Sequence, residues 1–131
     1  MSEQLTSQRE LTVLIIDDDI SLLPLIKMVI IGLGLSVETA SNAVEGLAMV
    51  AAGFYPDLIM LDIKMPGMDG FDTFNQLRAN PRLKGSKIIA LTAFATEEDR
   101  ERILNHGFDY YISKPFKKSQ LIEIVKQSLV V

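Results

Sequence analysis

A few polar residues stand directly after aliphatic runs, where they could do chemistry together. Asp17, Asp18 and Asp19 follow LTVLII, Asp62 follows DLIML, Thr92 follows KIIAL, and Lys114 comes just after DYYI, with Pro115 behind it. Two carboxylates brought to about 4 Å repel by roughly 1 to 4 kcal/mol, so stability alone gives no reason to gather them. A hard divalent cation does: Mg²⁺ takes one or two carboxylates, waters and a phosphate oxygen in octahedral array. Asp17, Asp18 and Asp62 with Lys114 sum to two negative charges, which such a cation cancels. The lysine is a point charge suited to a phosphate oxygen, and the Thr92 hydroxyl can donate to another. Taken singly, each acid reads as an ordinary solvated loop residue. Convergence of four run ends on one constellation favours a metal-assisted phosphoryl site.

These residues can meet only if the runs are parallel strands of one sheet. Five runs alternate with helical stretches: Leu11–Ile16, Leu35–Thr39, Asp57–Leu61, Lys87–Leu91 and Asp109–Ile112. Three are nearly continuous hydrophobics, as in strands covered on both faces. The first helix is expected from about Ser21 to Ile31, with Pro24 in its opening turn and Gly32 and Gly34 as stops. The second opens at Asn42, with Glu45 completing a capping pattern, and ends at Gly53. The third follows Gly70 and ends before Pro81, Asp69-Gly70 being the turn or cap ahead of it. The fourth is capped by Thr96 with Glu97, Glu98 and Asp99 in its first turn and stops at Gly107, and the fifth fills Ser119 to Leu129.

Regular alternation of this kind predicts an α/β fold, a doubly wound five-stranded parallel sheet with five helices and right-handed crossovers. Ligands bind at the carboxyl ends of such strands, where all the polar residues above fall. The second strand ends in Thr39-Ala40 and offers nothing, as befits an edge strand in the order 2-1-3-4-5.

Composition narrows the classes. The 131 residues suit one domain, with 1–10 expected as a flexible tail and 11–131 as the domain. Hydrophobic residues make up 48% and charged residues 23%, a globular balance. Without cysteine there is no disulfide or thiolate chemistry. A net charge of −4 argues against nucleic-acid binding. The polar start MSEQLTSQRE lacks a signal-peptide core, and the greasiest run, Leu22 to Leu35, is 14 residues with Pro24 and Lys27 inside, too short for a membrane span. A cytoplasmic location without membrane contact is expected. Met1 reads as a natural start, while any output domain of a longer protein would begin just past Val131.

The segments VLIIDDD, PDLIMLDIKMPGMDGF, ALTAFA and DYYISKPF resemble, in this order, the receiver domain of response regulators. The resemblance covers roughly residues 10–130 and implies a flavodoxin-like fold, from which the strand order is partly drawn. It implies a two-component or phosphorelay phosphoacceptor rather than an enzyme: Asp62 would accept a phosphoryl group from a phosphohistidine on a sensor histidine kinase or histidine phosphotransferase. Mg²⁺, with Mn²⁺ as substitute, would be bound directly by Asp18, mainly through water by Asp17, by Asp62 itself, and by the backbone carbonyl of Lys64. Thr92 and Lys114 would hold the phosphoryl oxygens, with Lys114-Pro115 a cis peptide. Thr92 and Tyr111 would form the switch altering the surface of the fourth helix, fifth strand and fifth helix toward a downstream protein target, with the chain a monomer or a phosphorylation-dependent dimer. Lys64 and Phe94 occupy the positions that tune phosphoryl lifetime; neither is an acid or amide placed to orient water, so slow loss is expected.

Two other readings carry less. Asp17-x-Asp19 imitates the nucleophile loop of haloacid dehalogenase-type phosphohydrolases, which would make Asp17 the labelled residue and leave KMPGMDG and SKPF without a role. His106, before Gly107, reads as a helix-terminal residue rather than a ligand. Met65 and Met68 read as packing, Asp19 as a first-turn acid or metal neighbour, Phe108 and Tyr110 as core or partner-facing, and Lys117 and Lys118 as a solvated helix start.

Overall fold

The computed structural model describes residues 10–93 and 96–129. The expected tail, apart from Glu10, and Phe94 lie outside the described residues. Five strands, β1 (Thr12–Ile16), β2 (Ser36–Ala40), β3 (Leu58–Asp62), β4 (Lys87–Thr92) and β5 (Tyr110–Ser113), form one parallel sheet in the order β2-β1-β3-β4-β5. Five α-helices connect and cover them: α1 (Leu23–Ile31), α2 (Ala43–Ala51), α3 (Gly70–Arg78), α4 (Glu97–His106) and α5 (Lys118–Leu129).

Period-two alternation along the strands divides the core. Leu14, Ile16, Ile59, Leu61, Ile88 and Ala90 face α2, α3 and α4, meeting Ala43, Val50, Phe74, Leu77 and Ile103. Val13, Ile15, Leu58, Met60, Ile89 and Leu91 face α1 and α5, meeting Leu23, Ile26, Ile30, Leu121 and Val125. Both faces are covered, hence the unbroken apolar runs of β1, β3 and β4. Edge strand β2 keeps Glu38 exposed.

Local chemistry sets the boundaries. Asp69 Oδ1 accepts from the Asp72 amide at 2.9 Å, and Asn42 Oδ1 from the Glu45 amide at 2.8 Å. Thr96 and Asp99 cap α4 reciprocally, the Asp99 amide donating to Thr96 Oγ1 at 3.1 Å. The first helix departs from expectation, starting at Leu23 rather than Ser21. Asp19 Oδ1 accepts from both the amide and the hydroxyl of Ser21, at 3.1 and 2.6 Å, closing a turn of its own before the helix begins. The fifth helix starts one residue early, at Lys118, and Pro81–Leu83 forms a short 3-10 turn that the apolar pattern gave no sign of.

Gly107 ends α4 at φ +123, and a Cβ there would lie 3.0 Å from Phe74 Cζ. Gly107→Ala is expected to lower stability by about 1–3 kcal/mol in urea unfolding. Gly85→Ala, where an added Cβ meets nothing within 4 Å, should change it by under about 0.5 kcal/mol.

Candidate phosphoryl and metal site

Strand register brings the polar residues together. Ile16 pairs with Leu61, so Asp17 and Asp62 are level on adjacent strands. Asp62 pairs with Leu91 and Thr92 with Ser113, which places Thr92 and Lys114 at the same sheet edge. Backbone bonds extend the pairing: the Asp17 amide donates to Ala40 O at 3.1 Å, Ile63 to Leu91 O at 3.0 Å and Lys114 to Thr92 O at 2.7 Å.

Carboxylate oxygens of Asp17, Asp18 and Asp62 lie within 4.8 Å of one another. Asp17 is fully buried, Asp62 is 4% exposed, and Asp18 stands at the open rim. Asp17 Oδ1 accepts from the Asp19 amide at 2.9 Å. Among the described residues its Oδ2 finds no well-aligned hydrogen-bond donor, and it rests against the Lys114 ammonium at 2.7 Å. The same ammonium is 3.6 Å from Asp62 Oδ1. Lys114, expected to meet phosphoryl oxygens, here touches the acids themselves. A buried carboxylate oxygen demands a counter-charge, and this lysine is the one that reaches it.

The electrostatics are those of a site short of positive charge. Burial first, then the Asp17 charge and a hydrogen bond with Asp18, push the Asp62 carboxyl up to about 8, with Lys114 opposing. Burial favours the neutral amine at Lys114, but its bond to Asp17 and the surrounding acids prevail and hold it above the usual lysine range. Three hard oxygen donors, two of them buried and only partly neutralised, fit a divalent cation of the Mg²⁺ type. Asp19 is not among them: its carboxylate serves Ser21, whose hydroxyl bond holds it below the usual range.

The other flagged residues separate cleanly. Met65 is buried and Met68 half-buried, both in the core facing α3. Phe108 is core, and Tyr110 packs on the face shared by α1 and α5. His106 bonds Asn75 through Nε2 at 2.8 Å and lies edge-on to Phe71 and Phe74, a packing role. Lys64 is exposed, and Lys114-Pro115 is cis. Tyr111 is half-buried with the Arg100 guanidinium 5.9 Å from its ring centre. That partnership spans two elements and left no trace in the residue spacing.

Comparison with known proteins identifies the family. The chain belongs to the response regulator receiver domain family, the match covering residues 13–126. It is 36% identical over 118 residues to an uncharacterized 14.6 kDa protein of Leptolyngbya boryana, covering 90% of this chain and 89% of that one. It is also 36% identical over 124 residues to the sensor histidine kinase CheAY of Helicobacter pylori, covering 94% of this chain but 15% of the kinase. The chain spans about half the length of the DNA-binding regulators it also matches. A response regulator crystal structure from Chloroflexus aurantiacus superposes with a TM-score of 0.85 at 29% identity, covering 94% of this chain and all of that one. The fold is therefore the flavodoxin-like receiver fold, and the role is that of a phosphoacceptor in two-component signalling. Receiver domains bind Mg²⁺ in an acidic pocket and interact with histidine kinases and downstream targets. Among the described residues no helix is long and apolar enough to cross a membrane.

Proposed function

We propose that Asp62 is the phosphoacceptor and that its donor is a phosphohistidine on a sensor histidine kinase or histidine phosphotransferase. The observation that carries this is the buried Asp62 carboxylate, set level with Asp17 and within 3.6 Å of the Lys114 ammonium. A carboxylate oxygen of Asp62 attacks phosphorus in line, the P–N bond of the donor breaks, and its electron pair returns to the imidazole. Lys114 neutralises charge on the transferring oxygens and the Thr92 hydroxyl donates to one of them, so catalysis is positioning and electrostatics. Asp17, Asp18, Asp62 and the carbonyl of Lys64 would hold Mg²⁺ or Mn²⁺, which when bound supplies positive charge beside those oxygens. Asp17, with one oxygen on the Asp19 amide and the other on Lys114, suits a supporting role better than a direct one.

On phosphorylation Thr92 moves toward the new group and Tyr111 turns inward, altering the face of α4, β5 and α5 for a downstream protein. Phosphotransfer in the cytoplasm, by a chain that binds neither nucleic acid nor membrane and is a monomer or pairs when phosphorylated, completes the reading. Hydrolysis of the acyl phosphate regenerates the carboxylate. Neither Lys64 nor Phe94 is an acid or amide of the kind that orients an attacking water, so this loss is expected to take far longer than seconds at neutral pH, measured by intact mass over time.

The phosphohydrolase alternative requires Asp17 to attack and Asp19 to protonate, yet Asp17 is buried against Lys114 and Asp19 is engaged by Ser21. Incubation with a small acyl or amido phosphate tests the proposal. One added phosphoryl group per chain, dependent on Mg²⁺, is expected; no addition at any Mg²⁺ concentration overturns it.

A further inference from the structure

We propose that Gly70 is a positioning residue for phosphoryl transfer: its missing side chain lets the first turn of α3 rest on the backbone of Asp62 and Ile63 and so fixes the acceptor. The inference rests on Asp62 being the phosphoacceptor.

The contact is unusually close. A Cβ at position 70 would lie 2.5 Å from Ile63 Cα and 2.6 Å from the carbonyl oxygen of Asp62, with Ile63 Cδ1 at 3.0 Å. The two nearest atoms are backbone, so the strain cannot be relieved by rotating a side chain. The Gly70 amide donates to Ile63 O at 2.7 Å, tying helix to strand end at the same point. Below it the chain is held rigidly, since the Ile63 amide is bonded to Leu91 O of β4 at 3.0 Å. Above it, Asp69 caps α3 and Thr73 Oγ1 donates to Asp69 O at 2.7 Å. Between these anchors lies the segment from Asp62 to Lys64, carrying both the acceptor carboxylate and the carbonyl assigned to the cation.

Gly70 is not there for backbone freedom. It opens the helix with no left-handed φ, a conformation that alanine adopts as well. The residue is required by proximity alone, which makes the test clean. A methyl group at position 70 must push either α3 or the Asp62–Lys64 backbone by a sizeable fraction of an ångström, and misplacement on the ångström scale costs on the order of 100-fold in rate.

Gly46 supplies a matched control. A Cβ there would also come to 2.5 Å of a neighbour, but the atoms it meets, Ile16 Cδ1 at 2.5 Å and Cγ1 at 2.8 Å, belong to a side chain and not to the backbone of the acceptor segment. Gly70→Ala and Gly46→Ala are compared for thermal stability, Mg²⁺ affinity by calorimetry, and the rate of phosphorylation by a small acyl phosphate at saturating Mg²⁺. The expected result is a rate lower by roughly 10- to 100-fold with weakened Mg²⁺ binding in Gly70→Ala, against a normal rate and affinity per folded molecule in Gly46→Ala. Equal rates in wild type and Gly70→Ala overturn the inference, as does a rate loss in Gly46→Ala that matches. If Gly70→Ala is poorly folded, trimethylamine N-oxide restores compactness, and the rate is then read per folded molecule; a deficit that vanishes on refolding also overturns it. Wild type serves as the separate check on the underlying reading: if it takes no label at Asp62, that assignment fails whatever Gly70 does.

Discussion

Asp62→Asn is expected to abolish phosphorylation and, in metal-free buffer, to make the protein more stable. The two effects have one cause. Asp62 is buried level with Asp17 and close to Asp18, and a charge there is opposed by desolvation and by its neighbours. Asparagine keeps the shape and removes the charge. The gain above about pH 8, where the native carboxyl is ionised, should be about 1–4 kcal/mol, the range for relieving one pair of like charges near 4 Å, read as a higher urea midpoint. No nucleophilic oxygen is left, so intact mass should show no phosphoryl addition under conditions that label the wild type fully. A variant that loses both labelling and stability would mean instead that Asp62 supports the fold.

The second large effect is a dependence of stability on pH that Mg²⁺ removes. The Asp62 carboxyl titrates near 8 in the folded chain against 3.8 ordinarily. Between those values the native state holds a proton that the unfolded chain has released. Stability therefore falls as pH rises through this interval: the contribution of the protonated group is complete below about 4 and gone above about 8. Saturating Mg²⁺ favours the ionised carboxylate and should flatten the slope, so stabilisation by the cation grows with pH. Cation binding at pH 6 should release protons, detectable as a buffer-dependent calorimetric heat. Melting curves from pH 5 to 8.5, with Mg²⁺ or with chelator, measure both. Parallel curves with and without the cation would show that Asp62 is not a ligand.

Most of the architecture was legible because the strands obey one rule. β1, β3 and β4 are buried on both faces and read as unbroken apolar runs, while Asp17, Asp62 and Thr92 mark where each reaches the open edge. Parallel register did the rest, since residues just past neighbouring strands must be neighbours. What escaped were interactions set by side-chain geometry. The turn made by Asp19 and Ser21 delayed α1, because a short acid that bonds its own backbone competes with helix start. Pro81 gave notice of an end to α3 but not of the 3-10 turn that follows. Lys114 was recognised as part of the site, yet its pairing with Asp17 depends on which buried oxygen lacks a donor. Arg100 over Tyr111 joins residues from different elements that no periodicity links. Gly70 read as a turn residue, and only the approach of α3 to the Asp62 carbonyl shows why the position must be bare.

The most direct measurement is to locate the phosphoryl group. After reaction with a small acyl phosphate and Mg²⁺, borohydride reduces an aspartyl phosphate to homoserine, and peptide mass mapping then identifies the residue converted. Conversion is expected at Asp62 alone, in the peptide carrying PDLIMLDIK. Conversion at Asp17, or a stable phosphoryl group on His106, would contradict it.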